Sequence, residues 1–279
     1  MKNIKDKISK LRDLLRGYGG AVLAFSGGVD SSFLAKVARE EMKDRLLAVT
    51  ALDEIHAPRE KKDALQVAQQ LALQHKVIFT NNLTNWQFAA NSPERCYFCK
   101  KNLFERLFAI AKEYRLPCVL DGTNYDDRGE HRPGTLAARE LGVKSPLLKA
   151  GLTKDDIRKL SQKMKLPTWN KPSQACLLTR FPYGEQITKE KLAMVRRAEE
   201  YLQFQGFKVF RVRHHGNLAR LEVAPAEFEK ILALLPKLSN KLNEIGYVYV
   251  TLDLKGFRSG SMDEILADKS NKQVIEGQK

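Results

Sequence analysis

No stretch of apolar residues in this sequence approaches the roughly 18 that a bilayer-spanning helix needs, and the longest ones are broken by Lys or Arg. The amino-terminal segment MKNIKDKISKLRDLL is charged throughout and has no apolar core, which argues against a signal peptide. Only four cysteines are present, Cys96, Cys99, Cys118 and Cys176, too few to staple 279 residues together. A soluble chain in the reducing cytoplasm is therefore expected, where thiols are either core residues or chemistry. Negative charge is scarce: 33 Asp and Glu face 48 Lys and Arg, leaving +15. That excess points to anionic partners, although many lysines sit at solvated helix spacing, as in EKKDALQVAQQLA. Neither the 17 glycines nor the 10 prolines are an enrichment, so fibrous and disordered classes fall away. With 43% hydrophobic residues the chain can bury a sizeable core, and its length predicts two domains.

Hydrophobic periodicity sets out the order of elements. Ile4, Ile8, Leu11, Leu14 and Leu15 recur at helical spacing. After GYGG comes the short apolar run AVLAF, then SGGVDSSFLAKVAREE, which turns helical: strand, glycine turn, helix. The grammar repeats through LLAVTAL, PREKKDALQVAQQLAL and HKVIFT, and again through CKKNLFERLFAIAKEYRL and PCVLDG. Strands alternating with helices predict an α/β fold, a mostly parallel sheet sandwiched by helices. Ligands of such sheets bind beyond the carboxyl ends of the strands, so Ser26, Thr50 and Asp121 are expected to converge on one crevice. Regularity weakens between about Gly122 and Gln186, where loops rich in polar residues and Pro surround a helix in LTKDDIRKLSQKMKL. From Thr188 the pattern changes to a helix, two alternating segments (FKVFRVRHH and LARLEVA), a helix in FEKILALLPKLSNKLNEIG and a strand in YVYVTLDL. This predicts a smaller α+β domain over 187–279, following a first domain over 1–180.

The strongest local signal is Ser26-Gly27-Gly28-Val29-Asp30-Ser31-Ser32. A glycine- and serine-rich turn between strand and helix aims backbone N–H groups and hydroxyls at an anion on the helix N-terminus. Asp30 can hold Mg²⁺ against phosphates. The lysine of the ATPase phosphate loop is missing, which excludes γ-phosphate transfer of that class. A turn of no special use is the plain alternative.

SGGVDS after AVLAF resembles the PP-loop ATP pyrophosphatases, which cleave ATP between the α and β phosphates to adenylate an acceptor. The wider sequence resembles one branch more closely, the LarE family of ATP-dependent sulfur transferases of nickel-pincer nucleotide cofactor biosynthesis. The match is carried by RCYFCKKNLF, LDGTNYDD, HRPG, WNKPSQAC, RFPYG, RVRHH, ARLEV and TLDLKGFRSG. It implies adenylation of the carboxylates of pyridinium-3,5-dicarboxylate mononucleotide, followed by conversion to thiocarboxylates. By the same resemblance Ser26, Gly27, Gly28, Asp30, Ser31 and Ser32 are expected to bind ATP and Mg²⁺, and the position of Thr50 and Asp121 at strand ends adds them to the expected nucleotide contacts. The resemblance also implies that Glu199, Arg211, Arg213, Glu222, Arg258 and Ser259 meet the phosphorylated substrate, and Arg180 of RFPYG is a further expected phosphate contact. The family further implies a homo-oligomer, with a hexamer as the number to test. Residue chemistry agrees at one place: Arg211 and Arg213 alternate on one strand face and can present two guanidinium forks to one phosphate. Surface ion pairs are the plain reading of the same residues.

The sulfur source divides the readings. In the family's best-known pattern a cysteine of the loop before RFPYG gives up its sulfur and is left as dehydroalanine. That position aligns with Ala175, next to Cys176, and the pattern has no cysteines matching Cys96 and Cys99. Cys96, Cys99 and Cys176 together supply three thiolates, enough for a [4Fe-4S] cluster with its fourth iron open to an incoming sulfide. The cluster is the expectation carried forward, with a sulfide or other sulfur donor as partner. Sacrificial Cys176, or zinc or redox use of the CxxC pair, are the alternatives. Cys118, within PCVL, reads as a core residue. Trp86 and Trp169 read as packing residues, and the five histidines show no metal spacing with the thiols. A tRNA-thiolating PP-loop enzyme is the main rival function. The spread of positive charge and the absence of zinc-ribbon pairs argue against a nucleic-acid partner. NAD or GMP synthetase chemistry would fit SGGVDS alone but explains neither CYFC nor RFPYG.

Overall fold

A computed structural model describes residues 3–55, 58–128, 133–172 and 176–265. Ala175, and His56 and His131 among the five histidines, lie outside the described residues. The chain divides into two compact units, Met1–Phe88 with Pro93–Gln174, and Ala89–Ser92 with Ala175–Lys279.

The first unit runs α1 (Ile4–Tyr18), β1 (Ala21–Ala24), α2 (Val29–Met42), β2 (Leu46–Leu52), α3 (Pro58–Gln70) and β3 (Gln74–Phe79). A short α4 (Trp86–Ala89) leads to the crossing between units, and α5 (Arg95–Glu113), β4 (Val119–Leu120), α6 (Pro133–Glu140), α7 (Pro146–Ala150) and α8 (Lys154–Lys163) complete it. The four strands form a parallel sheet in the order β3-β2-β1-β4. Strand residues are buried alternately on its two faces, as a doubly covered sheet requires. Ala21, Leu23, Leu46, Ala48 and Leu120 pack with α1, α2, α3, α7 and α8. Val22, Leu47, Val49 and Val119 pack on the other face with Phe104, Leu107 and Ile110 of α5. Strand order reverses at β1, with β2 on one side and β4 on the other. Its carboxyl end is thus the topological switch point at which such sheets leave a crevice for ligands.

The second unit runs α9 (Lys189–Phe204), β5 (Phe210–His215), β6 (Leu218–Val223), α10 (Phe228–Ala233), α11 (Leu235–Ile245) and β7 (Tyr249–Leu252). Its sheet is mixed: β5 and β6 are antiparallel, β6 and β7 parallel. Ala198 and Leu202 of α9, with Leu238 and Leu242 of α11, close its core over Val212, Ala219 and Leu221.

Three expectations change in detail. The helix expected over FEKILALLPKLSNKLNEIG is two helices, because Pro236 falls in the first turn of α11 and cannot continue α10. Helix α5 begins at Arg95, ahead of the expected segment CKKNLFERLFAIAKEYRL that starts at Cys99, so both cysteines of the CxxC pair lie inside its first turns. Trp86 is 76% exposed and Trp169 38%, so neither is a core packing residue. Cys118 is buried and its thiol donates to the Gly20 carbonyl, as a core residue would. Among the described residues no helix is long and apolar enough to cross a membrane.

Candidate functional site

The serine–glycine turn sits at the switch point because β1 ends at Ala24 and α2 begins at Val29. Gly27 has φ +66, and a Cβ there would stand 2.7 Å from the Ala64 Cα of α3. Both the left-handed backbone and the close approach therefore demand glycine. Gly28 is the N-cap of α2 and offers no side chain to cap it, so the first-turn N–H groups keep their donor capacity. Ser26 Oγ accepts from Gly28 N at 3.3 Å and lies 3.1 Å from Ser31 Oγ, which donates to the Gly28 carbonyl. The turn is held by its own hydroxyls before any ligand arrives.

Two polar atoms in this turn have no partner among the described residues: Asp30 Oδ1 and the hydroxyl of fully buried Ser32. Burial is the largest influence on the Asp30 carboxyl and raises its pKa, with the neighbouring Lys154 ammonium opposing. An orphaned carboxylate oxygen beside open helix donors fits a divalent cation and the phosphates it would accompany. The end of β4 closes on the same place. A Cβ on Gly122 would lie 3.3 Å from Ser31 N, and Asp121 accepts from the Thr123 hydroxyl at 2.7 Å. Thr50 is buried, donates to the Phe25 carbonyl at 2.8 Å and therefore accepts from His75 Nε2, also at 2.8 Å. Its hydroxyl has no proton left for a ligand. Asp126 and Asp127 act locally: Asp126 accepts from Lys154 N and Asp127 from Asn124 N.

Sequence reasoning missed two lysines here. Lys154 Nζ pairs with Asp30 Oδ2. Lys171 Nζ pairs with Asp63 at 2.8 Å and donates to the Gly27 carbonyl at 3.2 Å. The one available signal was a lysine in the extended, Pro-rich WNKPS segment.

The thiols divide between the units. Cys96 is exposed and Cys99 half-buried, three positions apart on the first turns of α5. Burial pushes the Cys99 thiol up to about 11, partly offset by Lys100, and Asn82 Nδ2 donates to its sulfur at 3.8 Å. Cys176 belongs to the second unit, where it is half-buried at the start of the turn Leu177–Arg180. Among the described residues no three of His, Cys, Asp and Glu are grouped as a metal site. Cys96 and Cys99 place two soft thiols on the first turns of one helix, donors of the kind an iron–sulfur cluster takes.

In the second unit the residues expected at the substrate are mostly engaged with one another. Fully buried Glu222 accepts from Arg213 at 2.6 Å and from Ser261 at 2.7 Å, and Arg220 lies 3.3 Å away. Arg180 forks onto Glu199 at 2.8 and 2.9 Å, and Glu199 also accepts from Val212 N. Arg213 reaches the Thr179 carbonyl at 2.8 Å, tying β5 to the loop of Arg180. That loop is clamped by the crossing segment: Asn91 Nδ2 donates to the Pro182 carbonyl at 2.7 Å and Gly184 N to Asn91 O at 3.0 Å. Arg258 pairs with Asp253 and Glu264, and Ser259 is exposed. Arg211 is different. Its guanidinium lies over the Phe257 ring at 5.1 Å with no carboxylate within ion-pair distance among the described residues. Burial, and then Arg180, push its pKa down to about 10. A desolvated cation without an anion is what a phosphate would complete.

A parallel sheet with a serine–glycine turn and an uncapped helix start at its switch point is the arrangement of the PP-loop class of nucleotide-binding proteins. A family model for NAD synthase matches residues 2–116, the span that contains this turn. An uncharacterised protein of Synechocystis is 40% identical over 94% of this chain and 99% of its own length. The pyridinium-3,5-bisthiocarboxylic acid mononucleotide synthase of Lactiplantibacillus plantarum is 36% identical over 93% of each chain. An uncharacterised protein of Methanocaldococcus jannaschii is 32% identical over 85% of this chain and 90% of its own. The chain belongs to the pyridinium-3,5-bisthiocarboxylic acid mononucleotide synthase family, LarE.

Proposed function

We propose that this protein is an ATP-dependent sulfur transferase acting on pyridinium-3,5-dicarboxylate mononucleotide. A substrate carboxylate oxygen attacks the α-phosphorus of ATP, the bond to the β-phosphate breaks, and pyrophosphate leaves. A sulfur nucleophile then attacks the acyl carbon and AMP departs, giving the thiocarboxylate. The observation that carries the first step is the Ser26–Ser32 turn, with its uncapped donors and the unpaired Asp30 oxygen, in a chain of this family. Asp30 would hold Mg²⁺, which when bound supplies charge neutralisation for the phosphates. The first unit takes ATP, and the second takes the substrate phosphate through Arg211, Arg258 and Ser259 and provides contacts for a homo-oligomer. Arg180, Arg213, Glu199 and Glu222 position Arg211 in this reading.

In the same reading Cys96, Cys99 and Cys176 hold a [4Fe-4S] cluster, which when bound supplies an open iron site for sulfide. The pair of thiols on the first turns of α5 supports it. Two measurements test the whole. The first is pyrophosphate release on addition of the dicarboxylate mononucleotide to ATP and the purified full chain; none would overturn the sulfur-transferase reading. The second is iron and acid-labile sulfide on protein prepared without oxygen. About four of each per chain are expected from a [4Fe-4S] cluster. No iron, with loss of H₂S from Cys176 after turnover, would replace the cluster by sacrificial donation.

A further inference from the structure

We propose that Phe257 is a positioning residue for the substrate phosphate: its ring holds the Arg211 guanidinium in place by a cation–π contact that uses none of the N–H groups a phosphate needs. This rests on the reading of Arg211 given above and assigns a role to a side chain with no charge and no hydrogen-bonding group.

Arg211 needs something in place of an anion. It is half-buried, and its cross-strand neighbour is Glu222, whose carboxylate is already shared by Arg213, Arg220 and Ser261. Glu199 is forked by Arg180 in the same way. Burial, then the charges of Arg180 and Arg213, work against the protonated form of Arg211, and Glu199 and Glu222 only partly offset them. A guanidinium repelled by two others and stripped of part of its water stays put only if some contact favours a cation there. The Phe257 ring is that contact, with its centroid 5.1 Å from the guanidinium carbon, inside the range over which a ring quadrupole attracts a cation. A carboxylate would hold the charge too, but it would take up the N–H groups and neutralise them. The ring has no lone pair to accept them. Nη1 donates to the Phe210 carbonyl at 2.6 Å, the one side-chain hydrogen bond of Arg211 among the described residues. Its remaining donors are left for phosphate oxygens.

The chain brings the ring to this place through its backbone. Past β7, Asp253 N donates to the Leu221 carbonyl and Phe257 N to the Val223 carbonyl, both at 2.8 Å, so the segment runs along the end of β6. Between them Gly256 has φ +69, and a Cβ there would stand 2.8 Å from the Val223 oxygen, so glycine is required for the approach. Val223 follows Glu222 and pairs with Phe210, the residue before Arg211. A packing role is the plain alternative for Phe257, and the structure gives it little support. The ring is only half-buried and stands outside the apolar core that α9 and α11 close over Val212, Ala219 and Leu221. The two backbone bonds fasten the segment without it.

The test is steady-state pyrophosphate release by the full chain with ATP, using pyridinium-3,5-dicarboxylate mononucleotide and, separately, its riboside without the phosphate. Wild type is compared with Phe257→Leu, Phe257→Tyr, Arg211→Ala and the double variant of Phe257→Leu with Arg211→Ala. Phe257→Leu is expected to raise KM for the mononucleotide about fivefold with kcat unchanged, the worth of one cation–π contact. Phe257→Tyr, which keeps the ring, should restore the wild-type KM. The riboside should show no difference between Phe257→Leu and wild type, and once Arg211 is alanine the leucine substitution should add nothing. An unchanged KM in Phe257→Leu, an equal rise for nucleotide and riboside, no rescue by tyrosine, or additive effects in the double variant would each overturn the assignment and leave the role of Arg211 standing. Wild-type protein with the same KM for nucleotide and riboside would overturn the phosphate role of Arg211 as well, and no pyrophosphate release with either would overturn the sulfur-transferase reading itself. Should Phe257→Leu fail to fold, Phe257→Met, which keeps apolar volume without a ring, takes its place with the same expected rise.

Discussion

The turn in the first unit and the arginine–glutamate cluster in the second are both rich in polar groups, yet they differ in how those groups are satisfied. Around Ser26–Ser32, Asp30 Oδ1 and Ser32 Oγ have no partner among the described residues, and the start of α2 has no side-chain cap. Around Glu222, the carboxylate is shared by Arg213, Arg220 and Ser261, and Glu199 by Arg180 and Val212 N. Arg213 Nε and Arg220 Nε also lack a partner among the described residues, so the difference lies in the carboxylates: those of the second unit are shared by several donors, which holds geometry, whereas Asp30 keeps an oxygen for a ligand to complete. The first region thus has the makings of a receptor, and the second those of a scaffold that holds out one guanidinium, Arg211.

This contrast can be broken by substitution. The largest effect is expected from Glu222→Ala, which leaves Arg213 buried without its anion and should cost about 3–5 kcal/mol in urea unfolding. A loss below about 1 kcal/mol, typical of exposed pairs, would show the network is no scaffold. Next comes Asp30→Asn, expected to lower substrate-dependent pyrophosphate release about 100-fold with little change in unfolding free energy, since its charge serves the ligand. A large stability loss with normal kcat would reverse the contrast. Arg211→Ala should weaken binding of the mononucleotide by about 10-fold, seen in KM, and leave stability nearly unchanged because no buried carboxylate is orphaned.

The smallest effect concerns pH. Burial holds the imidazoles of His75, His214 and His215 below their ordinary value. As pH falls, the unfolded chain therefore takes up these protons before the folded one does. Their contribution to stability is complete above about pH 6.5 and is lost as pH falls from there toward the folded values. Two of the three lie in the second unit, on β5. A His214→Phe variant should flatten the acid side of the stability profile, and an unchanged profile would remove His214 from this account.

Much of the first region was legible along the chain because its parts are local. A strand, two glycines, a carboxylate and three serines fall within a few residues, and periodicity places them between β1 and α2. The alternation that put Arg211 and Arg213 on one strand was equally readable, but their separate fates were not. Their cross-strand partners differ, Glu222 opposite Arg211 and Arg220 opposite Arg213, yet it is Arg213 that takes the Glu222 carboxylate. The break between α10 and α11 was announced by Pro236. The exposure of Trp86 and Trp169 was not, since a large apolar side chain carries no mark of which way its backbone faces.

By itself the amino-acid order determined the α/β alternation, the serine–glycine turn between β1 and α2 and the presence of a second, differently patterned unit, because periodicity and glycine placement act over a few residues. Only the tertiary structure decided which charges meet. Lys154 reaches Asp30 across 124 positions, Lys171 reaches Gly27 across 144, and Ser261 reaches Glu222 across 39. Such pairings depend on how helices dock on the sheet and how burial strips water from each group, and neither is written in local spacing.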